Sequence, residues 1–141
     1  MKQTKVFLDS SVIIAGLASK KSGSYEILAL AELNIIIPYI SENVVTEVFR
    51  NIQKKIPGGM AYIYPLFKKL SFRLIDPTKE DVEKAKKLIN EKDAPVLAAA
   101  ITGKVDWLLS LDKHFLKANM ESKIGFQICT PGEFLQSLPY V

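Results

Sequence analysis

VFLDSS, residues 6–11, ends an apolar run on an acid. Val6-Phe7-Leu8 has the composition of a strand buried on both faces, as in a parallel sheet. Asp9 then stands at its carboxyl end, which is where open α/β sheets place their ligands. A carboxylate there is either an expensive accident or the first residue of a site. Asp is also a favoured helix cap, and a helix is expected to follow immediately. The two roles are compatible, because a capping carboxylate can face a ligand.

Outward from this stretch, apolar runs alternate with helical patterns. Lys5–Leu8 reads as a strand and Ser11–Leu17 as a helix. Tyr25–Leu33 reads as a second helix, with Ile27, Leu28, Leu30, Ala31 and Leu33 forming a wide apolar face. Ile35-Ile36-Ile37 is a short strand stopped by Pro38. Ser41 caps a helix whose Val44, Val45, Val48, Phe49 and Ile52 share one stripe. Pro57-Gly58-Gly59 breaks the chain as a helix–helix turn, followed by a helix over Tyr62–Leu70 and a strand over Phe72–Ile75. Thr78-Lys79-Glu80-Asp81 resembles a capping box and opens a polar helix to about Asn90. Asp93 starts a helix over Ala94–Thr102 that is apolar nearly all round, hence central, and Gly103 ends it. Val105–Leu111 and Phe126–Cys129 are the last strands. Thr130-Pro131-Gly132-Glu133 is a complete helix start, with Thr as cap, Pro at the first position and Glu at the third. Strands separated by helices predict a mainly parallel sheet with helices on both faces.

The 141 residues, 48% of them hydrophobic, are expected to form a single domain over 1–141. Such a domain buries roughly 68–70% of its unfolded surface, enough for a core without staples. The one cysteine, Cys129, cannot pair within the chain, and no signal peptide or span-length apolar run is visible; these readings predict a cytoplasmic protein with no membrane. The net charge of +4 and pI of about 9.1 come with paired lysines at 20–21, 54–55, 68–69 and 86–87. A basic surface around an acidic site suits a polyanion, although solvated helix faces use lysine in the same way.

Three further acids bear on Asp9. Glu47 lies beside the Val44/Val48/Ile52 stripe, one turn before Asn51. Asp93 precedes the apolar helix, where capping and the macrodipole together explain it at about 1 kcal/mol. Asp112 follows Trp107-Leu108-Leu109-Ser110-Leu111, as Asp9 follows the first strand, although Asp is also common in turns. If the two strands are neighbours, Asp9 and Asp112 share one rim and Asp93 can reach it. Two carboxylates about 4 Å apart repel by roughly 4 kcal/mol at an effective dielectric near 20, so such a cluster raises its own pKa values or recruits a cation. Hard divalent ions such as Mg²⁺ and Mn²⁺ take carboxylate oxygens.

Other chemistries lack their residues. One histidine cannot supply the acid and base of a paired-histidine ribonuclease. One Cys and one His cannot build a typical structural zinc site. Neither nucleotide-binding glycine motif occurs. Ser11 occupies the position where an aspartyl phosphatase carries its second aspartate. A phospho-receiver domain lacks its acidic pair and its lysine here.

VFLDSSVIIAG, the acid in VVTEVFRN, DAPVLAAAI and VDWLLSLDKHF resemble the PIN-domain ribonucleases, and the likeness runs on through IGFQICTPGEFL. The resemblance implies a three-layer α/β/α sandwich around a mainly parallel five-stranded sheet. It implies metal-dependent endonucleolytic cleavage of RNA, commonly by the toxin half of a toxin–antitoxin pair, so the expected partners are RNA, a separate antitoxin protein and further copies of the chain as a homodimer or higher oligomer. Tyr62, Ile63, Tyr64, Leu66 and Phe67 could supply an apolar face for self-association, or serve the core. Carried over position by position, Asp9, Glu47, Asp93 and Asp112 match the acidic site that would hold Mg²⁺ or Mn²⁺. Ser110 matches the family's hydroxyl two residues before the last acid, and Ser10 is the small polar residue after the first. Lys113 is a candidate for the RNA backbone. His114-Phe115 matches a recurring pair, read as packing. The competing expectation is a catalytically silent PIN-like module that binds RNA or protein.

Overall fold

The computed structural model describes residues 3–118 and 120–139. Five strands, β1 (Thr4–Leu8), β2 (Ile36–Ile40), β3 (Arg73–Leu74), β4 (Trp107–Leu109) and β5 (Gln127–Cys129), form one parallel sheet in the order β3-β2-β1-β4-β5. β1 is central, and its Val6, Phe7 and Leu8 are fully buried, so both faces of the sheet are covered there. Helices α1 (Ser10–Ala18), α2 (Gly23–Glu32), α3 (Glu42–Lys55) and α4 (Gly59–Lys69) connect the strands on one side of β1. Helices α5 (Lys79–Lys86), α6 (Ala94–Gly103), α7 (Lys113–Leu116) and α8 (Glu121–Ile124) serve β4 and β5, and α9 (Pro131–Ser137) closes the chain against α2. Strand order runs one way from β1 to β3 and the other way from β4 to β5. Right-handed crossovers therefore send the two sets of helices to opposite faces, giving three layers. The reversal falls between β1 and β4, the topological switch point of the sheet.

The expected stripes are those that face the core. Val44, Val48 and Ile52 of α3 are buried, as are Ala94 and Val96–Ala100 of α6. Leu97, fully buried, contributes about 1.5–3 kcal/mol of transfer free energy. α1 and α2 pack closely at Gly16, where a Cβ would stand 2.6 Å from Leu28 Cδ1 and 3.0 Å from the Ser24 carbonyl oxygen. Gly58 takes the expected turn between α3 and α4 with φ +78°. Thr130 and Glu133 form the complete capping box read from the sequence.

Several expectations change. β2 does not stop at Pro38 but runs on to Ile40. β3 pairs only with Tyr39 and Ile40, so at Pro38 β2 has a neighbour on one side only, where a sheet tolerates a residue lacking N–H. β3 is two residues, not four, and both are exposed. β4 ends at Leu109 rather than Leu111, which is exposed. Gly103 lies inside α6, and the left-handed residue that ends that helix is Lys104 at φ +50°. The Thr78 box is half formed: Thr78 Oγ1 accepts from the Asp81 amide, but the Asp81 carboxylate turns to Thr102, whose hydroxyl also receives the Thr78 amide. The expected α4 face divides, with Ile63 buried, Phe67 packed between Phe49 and Phe72, and Tyr64 exposed beneath Lys68. The side chain of Tyr62 lies outside the described residues. Among the described residues no helix is long and apolar enough to cross a membrane.

Candidate active site

Asp9 leaves the sheet at its switch point. Its amide continues the β1–β4 ladder, donating to the Leu109 carbonyl at 3.1 Å. Its side chain then turns under the start of α1, where Oδ1 accepts from the Ser10 amide at 2.8 Å. Oδ2 accepts from the Ser110 hydroxyl at 2.8 Å and from the Ser11 hydroxyl at 3.3 Å. Asp9 is 6% exposed. Burial pushes its carboxyl above the usual carboxylate range, the Ser110 hydroxyl and Ser10 amide oppose that rise, the charge of Glu47 adds to it, and the Ser11 hydroxyl lowers it slightly. Among the described residues no cationic side chain pairs with Asp9.

The buried stripe of α3 fixes the face that Glu47 occupies. Its Oε2 accepts from the Ser10 hydroxyl at 2.7 Å, and Asn51 donates to its carbonyl one turn further on. Ser10 thus links the first acid to the second.

Asp112 stands three residues beyond β4, at the N-cap of α7. Its amide donates to the Ser110 hydroxyl oxygen at 2.9 Å, and its Oδ1 accepts from the His114 amide at 2.9 Å. Ser110, fully buried, therefore gives its proton to Asp9 and takes the Asp112 amide. Ser11 adds a second link, accepting from the Leu111 amide at 3.1 Å.

Asp93 departs from expectation. It sits at the N-cap of α6, yet its side chain makes no capping bond. Its Oδ2 instead accepts from Asn90 Nδ2 at 2.8 Å, while Asn90 Oδ1 receives the Asp93 amide at 3.0 Å. The carboxylate is left facing His114, whose Nδ1 lies 3.4 Å from Asp93 Oδ2 and 3.6 Å from Asp112 Oδ1. The reading of His114-Phe115 as packing holds for Phe115, which is buried, and fails for His114, which is exposed and turned to the acids. A histidine beside a Phe at a helix start carries no local mark of this role. Nor do Ser11 and Asn90, whose contacts need the folded chain.

The arrangement has two parts. Asp9, Ser10, Ser11, Glu47 and Ser110 are one bonded cluster. Asp93, Asp112 and His114 are the other, each offering a ligand atom within 4.8 Å of the rest. Ser110 and Ser11 join them. Lys113, exposed, begins α7 beside Asp112. This donor set suits a divalent cation: several carboxylate oxygens, one imidazole, and a buried carboxylate without a cationic side-chain partner.

A PIN domain family model matches residues 5–114. PAE2754 from Pyrobaculum aerophilum has a similar fold, with a TM-score of 0.60 at 16% identity, covering 94% of this chain and 88% of that one. VapBC2 from Rickettsia felis, solved bound to a DNA fragment from their promoter, has a TM-score of 0.61 at 15% identity, covering 89% of this chain and 97% of the other. No curated protein matches the sequence.

Proposed function

This chain belongs to the PIN-domain family, and on that premise we propose that it is a divalent-metal-dependent endoribonuclease that hydrolyses RNA phosphodiester bonds at the rim between β1 and β4. The observation that carries this reading is the Ser110 hydroxyl, which ties Asp9 to the Asp112 loop across two neighbouring strands. A single turn or cap explains either acid alone; neither explains a shared, fully buried anchor between them.

Asp9 and Asp112 would hold Mg²⁺ or Mn²⁺ directly, with Glu47 and Asp93 as direct or water-bridged ligands. When bound, the ion supplies an activated water and offsets charge on the attacked phosphate. The chain's own groups do the remainder. Ser110, Ser11 and the Ser10 amide hold the Asp9 carboxylate in one orientation. The Ser10 hydroxyl holds Glu47. Glu47 or Asp93 orients the attacking water. Lys113 and the exposed paired lysines attract the RNA backbone, a contribution that salt weakens.

The likeness to VapBC2, seen with promoter DNA, supports reading the chain as the toxin of a two-protein pair, with a separate antitoxin as partner. A cytoplasmic site of action and self-association belong to the same reading.

Purified protein should cut single-stranded RNA in Mg²⁺ or Mn²⁺ and stop in EDTA. Asp9→Asn and Asp112→Asn should each lower the rate by about 100-fold or more. Failure to cut under every divalent ion, together with an Asp9→Asn variant whose cellular effect is unchanged, would sink the nuclease reading and leave a silent RNA- or protein-binding module.

A further inference from the structure

We propose that His114 is a nitrogen donor of the metal site, beside Asp93 and Asp112, and that it tilts the site toward borderline transition-metal ions over Mg²⁺. The inference rests on the metal-dependent reading above and adds the class of ion that the site selects.

Geometry carries it. His114 Nδ1 stands 3.4 Å from Asp93 Oδ2 and 3.6 Å from Asp112 Oδ1. Both distances are longer than a normal N–H···O hydrogen bond. They match the spacing of donors around one ion: ligand atoms bound at about 2.1 Å lie about 3.4 Å apart in a tetrahedral shell, and about 3.0 Å apart in an octahedral one. All three donor atoms fall within 4.8 Å of one another.

The neighbours of these donors are arranged to aim them. Asn90 grips Asp93 from both sides, donating to Oδ2 and receiving the amide. The His114 amide fixes Asp112 Oδ1, so the residue that brings the imidazole also orients the carboxylate opposite it. Hydrogen bonds of this kind set ligand direction in metal sites. Packing does not account for the direction of the imidazole, since its side chain is 70% exposed while the adjacent Phe115 is buried.

Donor chemistry then sets selectivity. Mg²⁺ prefers oxygen and dehydrates reluctantly, whereas an imidazole favours Co²⁺, Ni²⁺ and Zn²⁺ and, more weakly, Mn²⁺. Replacing His114 should therefore change the ratio of affinities rather than affinity for every ion.

The chain has one histidine, so its ring nitrogens give unambiguous NMR signals. In ¹⁵N-histidine protein, Zn²⁺ should shift the Nδ1 resonance saturably and Mg²⁺ should leave it in place. Calorimetry on His114→Gln should show Zn²⁺ affinity falling by about tenfold or more and Mg²⁺ affinity by less than about twofold. His114→Asp, with a third carboxylate, should move the preference toward Mg²⁺. If Zn²⁺ binds stoichiometrically while both ring nitrogens stay unshifted, or if His114→Gln weakens both ions equally, the inference is overturned and the metal-dependent reading stands. If neither ion binds the wild type, both fall together.

Discussion

Ser110 has one proton and uses it on Asp9. Its oxygen is then committed as an acceptor to the Asp112 amide. Ser110→Ala removes both bonds in a fully buried position and should destabilise the fold by about 1–3 kcal/mol in urea, whereas Ser110→Thr keeps the hydroxyl and should recover most of that loss. Equal losses in the two variants would mean that volume, not the hydroxyl, matters here. Asp9 makes a pH prediction. Burial raises its pKa in the fold above the ordinary value of 3.8, so the folded state favours the protonated acid. The stability it contributes is complete below that value and is lost as pH rises through the raised one. In EDTA, wild type should therefore lose stability relative to Asp9→Asn as pH rises from about 4, measured by urea denaturation; parallel pH curves for the two proteins would contradict this. Cys129 is shifted in the same direction: burial, with smaller contributions from the charges of Glu133 and Glu121, pushes its thiol up to about 12. A maleimide should label it only when the protein is unfolded. At this scale the sequence was partly legible. The four acids and two serines could be matched by position, because each sits in a recognisable local setting. The roles of Ser11, Asn90 and His114 could not be read, His114 having been matched only as half of a packing pair, because those roles consist of contacts made only after folding, one of them 100 positions away.

The helices were legible where one face is apolar, since burial follows the same periodicity as the pattern. α3 is the example, while α6 was legible as apolar nearly all round, and Leu97→Ala within it should cost about 2–5 kcal/mol. Close approach of two elements is invisible to periodicity. Gly16 lets α1 meet α2, and Gly16→Ala should destabilise by about 1–3 kcal/mol despite alanine's better helix propensity, because the new methyl meets a backbone carbonyl as well as Leu28. A circular-dichroism melt showing no decrease would mean that the two helices separate freely. Strand ends were misplaced for a related reason. The apolar pattern resumes past β4 at Leu111, yet pairing stops where β5 stops, at Cys129. A strand's length is set by its neighbour, and no single segment encodes its neighbour. The same holds for Pro38, which the short β3 makes tolerable, and for Thr102, which takes the place of the missing half of the Thr78 cap and ties the start of α5 to the end of α6.

For the whole molecule, the alternation of strands and helices was enough to predict a parallel sheet, while strand order required the fold itself. That order places Asp9 and the Asp112 loop on either side of the switch point. Binding of an ion to the folded state alone stabilises it, by about 2.7 kcal/mol at a hundredfold excess over Kd. Mn²⁺ should accordingly raise the Tm of wild type and have little effect on Asp9→Asn/Asp112→Asn; an equal rise in both would place the ion elsewhere. The switch point also bears on synthesis. Asp9 and Glu47 leave the ribosome early, and Asp93, Asp112 and His114 follow from position 93 onward. The bond that unites the two groups spans 101 positions and must wait for the β1–β4 pairing. Long-range closures of this kind form late. A chain that ends before β4 therefore lacks Asp112 and His114, and the two groups are not joined until β4 has emerged and docked.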